Sequence, residues 1–103
     1  MHYAGMVSFS TPSQAREMAW ILLEKKLVAC TQVISSVDSA YWWKGKIERE
    51  HEAVLIFKTT AKKIGVAIKA IEKNHSYEVP VIEAWPVKKT NRPALKWMEK
   101  ELK

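Results

Sequence analysis

One thiol and three imidazoles are the strongest metal donors among these 103 residues. Cys30 is the single cysteine, and its thiolate is a soft donor suited to Cu(I). The competing reading is a small buried hydrophobe, since free cysteine is among the most buried residue types. His75 opens the run His75-Ser76-Tyr77-Glu78-Val79-Pro80, where a neutral imidazole is a ready copper ligand. At a helix C-terminus the same side chain could instead serve as a polar end group. Glu78 and Glu83 are the nearest carboxylates, while His2 and His51 lack ligand-spaced neighbours and are expected in solvent. A second set is Lys58, Tyr77 and Glu78, which offers charge and hydrogen bonds to a small anionic ligand.

No catalytic set accompanies these residues. The chain has no Gly-rich phosphate loop, no Gly-x-Ser-x-Gly elbow, no His-Glu-x-x-His and no carboxylate pair at a defined spacing, so no enzyme is expected. The net charge of +6, from 17 basic and 11 acidic residues, raises the prior for an anionic partner. The signs interleave, however, and only Lys58 to Lys73 is one-sided, with Glu72 its sole acid. A solvated helix face explains that stretch more simply than a groove following phosphates, and no specific nucleic-acid binding is expected. Tyr41-Trp42-Trp43, with Lys44 and Lys46 beside them, could stack on bases or bury against another subunit. Burial is favoured, because aromatics contribute large apolar area at low entropy cost. One cysteine excludes an intrachain disulfide framework, and no apolar run reaches the roughly 18 residues of a membrane span. The first residues lack a signal-peptide pattern, so a cytoplasmic location with no membrane partner is expected.

The elements that must position these side chains fit one domain over residues 1–103. Tyr3 to Ser10 alternates as a strand with apolar residues on both faces. Thr11-Pro12-Ser13-Gln14 reads as a capping box, followed by the stripe Ala15, Met18, Ala19, Leu22, Leu23 of an amphipathic helix reaching about Lys26. Lys25 and Lys26 then sit in its last turn, on the favourable end of the dipole. Leu27–Trp43 and Lys46–Thr59 form a long two-stranded ribbon around the Lys44-Gly45 turn, bulged near Ser35-Ser36. Counting back from the turn sets Cys30 opposite Thr59, with Lys58 pointing to the other face unless that bulge shifts the register. Thr59 or Thr60 caps a second helix carrying Ile64, Ala67, Ile68 and Ile71, ending near Asn74-His75. Val81–Val87 is a fourth strand, at a sheet edge because of Pro86, and Asn91-Arg92-Pro93 opens a short last helix. The order is α+β, βαββαβ with a C-terminal helix, the ferredoxin-like arrangement with both long helices on one sheet face.

Four blocks occur in order along the chain: Leu27-Val28-Ala29-Cys30, Tyr41-Trp42-Trp43-Lys44-Gly45-Lys46-Ile47, Ile56-Phe57-Lys58-Thr59 and His75-Ser76-Tyr77-Glu78-Val79-Pro80. Their residues and spacing resemble the CutA family of divalent-cation tolerance proteins, over about residues 3 to 102. The resemblance implies a ferredoxin-like subunit in a tight homotrimer similar to the PII signalling proteins. It also implies a cytoplasmic location, a role in metal-ion response and, as in some members, copper binding at Cys30 and His75. Three positions depart from the family pattern: Gln32 for asparagine, Ser76 for proline, and Val81 for a glutamate counted among the metal ligands. Weak binding of copper or another divalent cation at subunit clefts is therefore expected. The alternative is a PII-like regulatory or scaffolding trimer that holds a small anionic ligand. Self-association is also expected from the residues, because the first and third strands are apolar on both faces while the helices cover only one.

Overall fold

In a computed structural model that describes residues 1–103, the chain runs β1 (His2–Phe9), α1 (Pro12–Glu24), β2 (Cys30–Trp43), β3 (Lys46–Thr60), α2 (Ile64–Asn74), β4 (Ile82–Val87), α3 (Arg92–Glu101). The four strands form one antiparallel sheet in the order β2-β3-β1-β4, which is the ferredoxin-like connectivity the sequence predicts.

Local signals set most of the boundaries. Thr11 caps α1 by accepting from the Gln14 N–H at 3.1 Å, and Pro12 occupies the first turn. The other half of the expected box does not form: the Gln14 side chain accepts from the Ser10 hydroxyl at 2.7 Å instead. The helix stops at Glu24 rather than Lys26, because Lys26 takes a left-handed φ of 56°. Its ammonium then reaches across to the Glu101 carbonyl of α3 at 3.2 Å. At the ribbon turn both Lys44 (φ 50°) and Gly45 (φ 79°) are left-handed, the primed geometry that matches the twist of a two-residue hairpin. Neither threonine caps α2, whose N-cap is Lys63 with no side-chain bond. Thr59 is instead fully buried and donates its hydroxyl to the Leu27 carbonyl at 2.6 Å.

Odd-numbered positions of β1 and β3 point toward α1 and α2. Val7, Phe9, Ala53, Leu55 and Phe57 bury there with Ala15, Met18, Leu22, Val28, Ala67 and Ile71 in one core cluster. Each large apolar side chain sealed this way is worth about 1.5–3 kcal/mol. Gly5 shares this face, and a Cβ on it would overlap the Phe57 ring and lie 2.8 Å from the Glu83 carbonyl. The far face carries the even-numbered residues. One end of it is covered, with His2 and Ala4 buried, and α3 packs on β3 while burying Met98 and Leu102 outside the main cluster. Elsewhere the far face is mixed rather than apolar throughout, since Ser8, Glu52 and Lys58 share it with Met6, Val54 and Ile56.

The ribbon stretches the subunit to 44 × 26 × 22 Å. A bulge sits where the serines place it: Ile34 pairs with Val54 and Val37 with Glu52, so Ser35 and Ser36 together oppose Ala53. Beyond it the ribbon leaves the helices behind, and Tyr41, Trp42, Trp43 and Ile47 are exposed.

Candidate functional site

The bulge decides what faces Cys30. On its core side the register is shifted by one residue, so Cys30 pairs directly with Lys58 and not with Thr59. Both side chains therefore lie on the far face, half-buried, in line with Ala4 on β1. The start of β2 is held by the Thr59 hydroxyl on Leu27 and by the Ala29 N–H, which donates to the Lys58 carbonyl at 2.8 Å. An ammonium opposite the thiol repels a cation and attracts an anion. No salt bridge engages Lys58; the one close contact between a basic and an acidic side chain is His51 Nδ1 with Asp38 Oδ1 at 2.8 Å, in the second pair beyond the bulge.

His75 follows the last residue of α2 in extended geometry. Its Nε2 lies 2.7 Å from the Ser8 carbonyl oxygen, which can only accept, so Nε2 carries the proton. Nδ1 is then the acceptor, and it takes the Tyr77 N–H at 3.0 Å. The imidazole lies flat on Phe9, centroids 4.3 Å apart and 11° between planes, and the Tyr77 ring is tilted against it by 51° at 4.6 Å. Both nitrogens are thus engaged, and the lone pair a metal would need is already in use. Cys30 aligns with Ala4 on β1, whereas His75 binds Ser8, four residues or about 13 Å further along that strand. The chain does not bring the two expected ligands together, and no three His, Cys, Asp or Glu side chains gather into a metal-binding group. Within one subunit the residues present do not fit a metal centre.

The anion-binding set is also divided. Tyr77 donates its hydroxyl to Glu52 Oε2 at 2.5 Å, Glu78 is exposed, and Lys58 lies several residues further along β3. Glu52 is 7% exposed and sits opposite Val37, the first pair beyond the bulge. Burial, then the bond to Glu52, push the Tyr77 phenol well above its ordinary range. Nearby, Tyr41 is raised by lost hydration and by Glu50 beside it. Glu52 escaped the sequence reading, although the alternation Glu48, Glu50, Glu52 puts all three on one strand face and was the available signal. His2 is a second correction. It is buried, not solvated, with Thr90 within 3.4 Å of its ring nitrogens, and desolvation, the N-terminal ammonium and Lys58 all depress its pKa.

The family model of the CutA1 divalent ion tolerance protein matches residues 4–101. A CutA homolog of Xenopus laevis is 36% identical over 95 residues, which are 92% of this chain and 63% of the relative. The divalent-cation tolerance protein CutA of Escherichia coli O139:H28 is 32% identical over 89 residues, 86% of this chain and 80% of the relative. Against the frog, rice and mouse relatives the chain spans only 52–63% of their lengths. Among solved structures, the periplasmic divalent cation tolerance protein CutA of Archaeoglobus fulgidus superimposes with a TM-score of 0.96 at 32% identity, covering 100% of both chains. The Cut A1 protein of Thermus thermophilus gives 0.93 at 29% identity over 98% of each chain. With the motif blocks, the sheet order and the match across nearly its whole length in agreement, this chain belongs to the CutA1 divalent ion tolerance family.

Proposed function

We propose that the chain works as a homotrimer in the cellular response to divalent cations, taking metal weakly at clefts between subunits and catalysing no reaction. The observation that carries this reading is the far face of the sheet. Met6, Ile34 and Trp85 are 40–45% exposed there, and the ribbon projects Trp42 and Ile47 clear of the subunit. Apolar surface of this extent is characteristic of a face that meets another chain. A second copy reached by the ribbon would cover it and remove exposed strand edges. Cys30, on the same face, is the one thiolate donor for a cation entering such a cleft; the Irving–Williams order ranks copper above zinc, and ligand softness ranks it above magnesium. The lone free cysteine suits a reducing cytoplasm, although the archaeal relative is named periplasmic and the rice relative chloroplastic.

Light scattering is expected to give about 36 kDa, three times the 11.9 kDa subunit. Elemental analysis of protein purified without added metal is expected to show sub-stoichiometric copper. A folded 11.9 kDa species at micromolar concentration would sink the trimer, and a nanomolar magnesium site would sink the metal preference.

Lys58 favours a second reading, a small anionic ligand. Its ammonium is half-buried on the far face with no carboxylate paired to it. Cys30→Ser separates the two: Cu(I) affinity is lost under the first reading and unchanged under the second.

A further inference from the structure

We infer that His75 in this chain is a positioning residue rather than a metal ligand: it holds Tyr77 so that the phenol meets the buried Glu52 at the root of the projecting ribbon. The inference does not rest on the trimer, and it leaves Cys30 as the donor in the reading above.

Glu52 needs a partner. A carboxylate 7% exposed, with no cation paired to it in its own chain, leaves water at a large cost unless hydrogen bonds replace its hydration. The Tyr77 hydroxyl supplies the side-chain donor at 2.5 Å. Tyr77 itself lies in the segment between α2 and β4, which has no strand or helix of its own to fix it. The imidazole does that work through three contacts. Nε2–H ties the segment to Ser8 at the end of β1, Nδ1 anchors the Tyr77 backbone two residues on, and stacking on Phe9 orients the ring. The demand on both nitrogens explains why an imidazole serves here: one ring must donate on one edge and accept on the other. The chain of contacts Ser8–His75–Tyr77–Glu52 ends opposite Val37, beside the bulge where the ribbon leaves the core.

Two measurements test this on the 103-residue chain. Nitrogen NMR of the His75 ring in the wild-type protein is expected to show the Nε2–H tautomer, with neither ring resonance moving when Zn²⁺ or Cu(I) is added to one equivalent. The Tyr77 hydroxyl proton, bonded to Glu52, is expected to exchange slowly in the wild-type protein and to vanish in His75→Phe, which keeps the stack and removes both nitrogens. Amide exchange over residues 37–52 should then quicken about tenfold or more, and Tyr77→Phe should reproduce that while leaving the His75 tautomer intact. A metal-induced coordination shift at either nitrogen would overturn the inference, as would a Tyr77 hydroxyl signal surviving in His75→Phe. If His75→Phe does not fold, the wild-type metal titration still decides. Loss of Cu(I) binding in Cys30→Ser is read separately, so failure of the metal reading is distinguishable from failure of this one.

Discussion

On the helix face of the sheet, Val7, Leu55 and Phe57 are buried to 2% exposure or less by the chain's own helices. The far face is built from the same strands, one residue out of step, and leaves Met6 and Ile34 exposed beside the buried Glu52 and the half-buried Lys58. The contrast separates two tasks. The first face supplies the apolar burial that makes a subunit fold, and it is complete within one chain. The second holds the polar and reactive residues, among them Cys30 and the end of the His75–Tyr77 contact chain, and is only partly covered. A strand apolar on both sides therefore does not mean two equivalent cores.

The largest expected effect sharpens that contrast directly. Leu55→Asp would place an unpaired carboxylate in the core, costing roughly 3–5 kcal/mol. That is much of a small domain's stability, and the subunit should be largely unfolded by circular dichroism. Ile34→Asp, on the far face, should change subunit stability by only about 0.5 kcal/mol yet lower the native mass. Equal loss of fold in both variants would break the comparison. Gly5→Ala comes next, because the added methyl meets Phe57 and the Glu83 carbonyl on the helix face; overpacking of this kind costs about 1–3 kcal/mol, read as a lower denaturation midpoint at unchanged m-value. Thr59→Val keeps the volume but strips the Leu27 carbonyl of its donor, and should cost about 1–2 kcal/mol in the same measurement.

The smallest effect belongs to the covered end of the far face and appears with pH. His2 has a depressed pKa in the folded state, so the unfolded chain binds its proton first. Stability is full above the ordinary histidine value near 6.5 and falls as pH drops below it. His2→Gln should flatten the fall in urea midpoint between pH 7 and 5. An unchanged slope would show that His2 is already hydrated in the fold.

Much of the architecture was legible in the sequence because it depends on periodicity. The α1 stripe Ala15, Met18, Ala19, Leu22 and the order of elements need only local pattern. Cys30 facing Lys58 was conditional on a bulge at Ser35-Ser36, a position the sequence marks but whose effect on register is a property of paired strands. Thr59 was misread as a cap because a threonine before a helix and a threonine buried in a strand look alike until the strand's partner is known. The ligand reading of Cys30 and His75 drew on family likeness and residue chemistry, neither of which reports a tautomer. That His75 has spent both nitrogens follows only from the positions of Ser8 and Tyr77.

The two-against-one pairing at Ser35 and Ser36 also has a consequence for heredity. Loss of a single serine codon would remove the extra residue and leave one residue opposite Ala53, with Ile34 still paired to Val54 and Val37 to Glu52. Every side chain from Cys30 to Ile34 would then keep its face, Val33 toward the core and the thiol toward the far face. A one-codon deletion here would thus straighten the strand without rewriting its faces, and its effect would fall on the bend and twist with which the ribbon departs. Length at this point sets the direction in which the ribbon leaves the core.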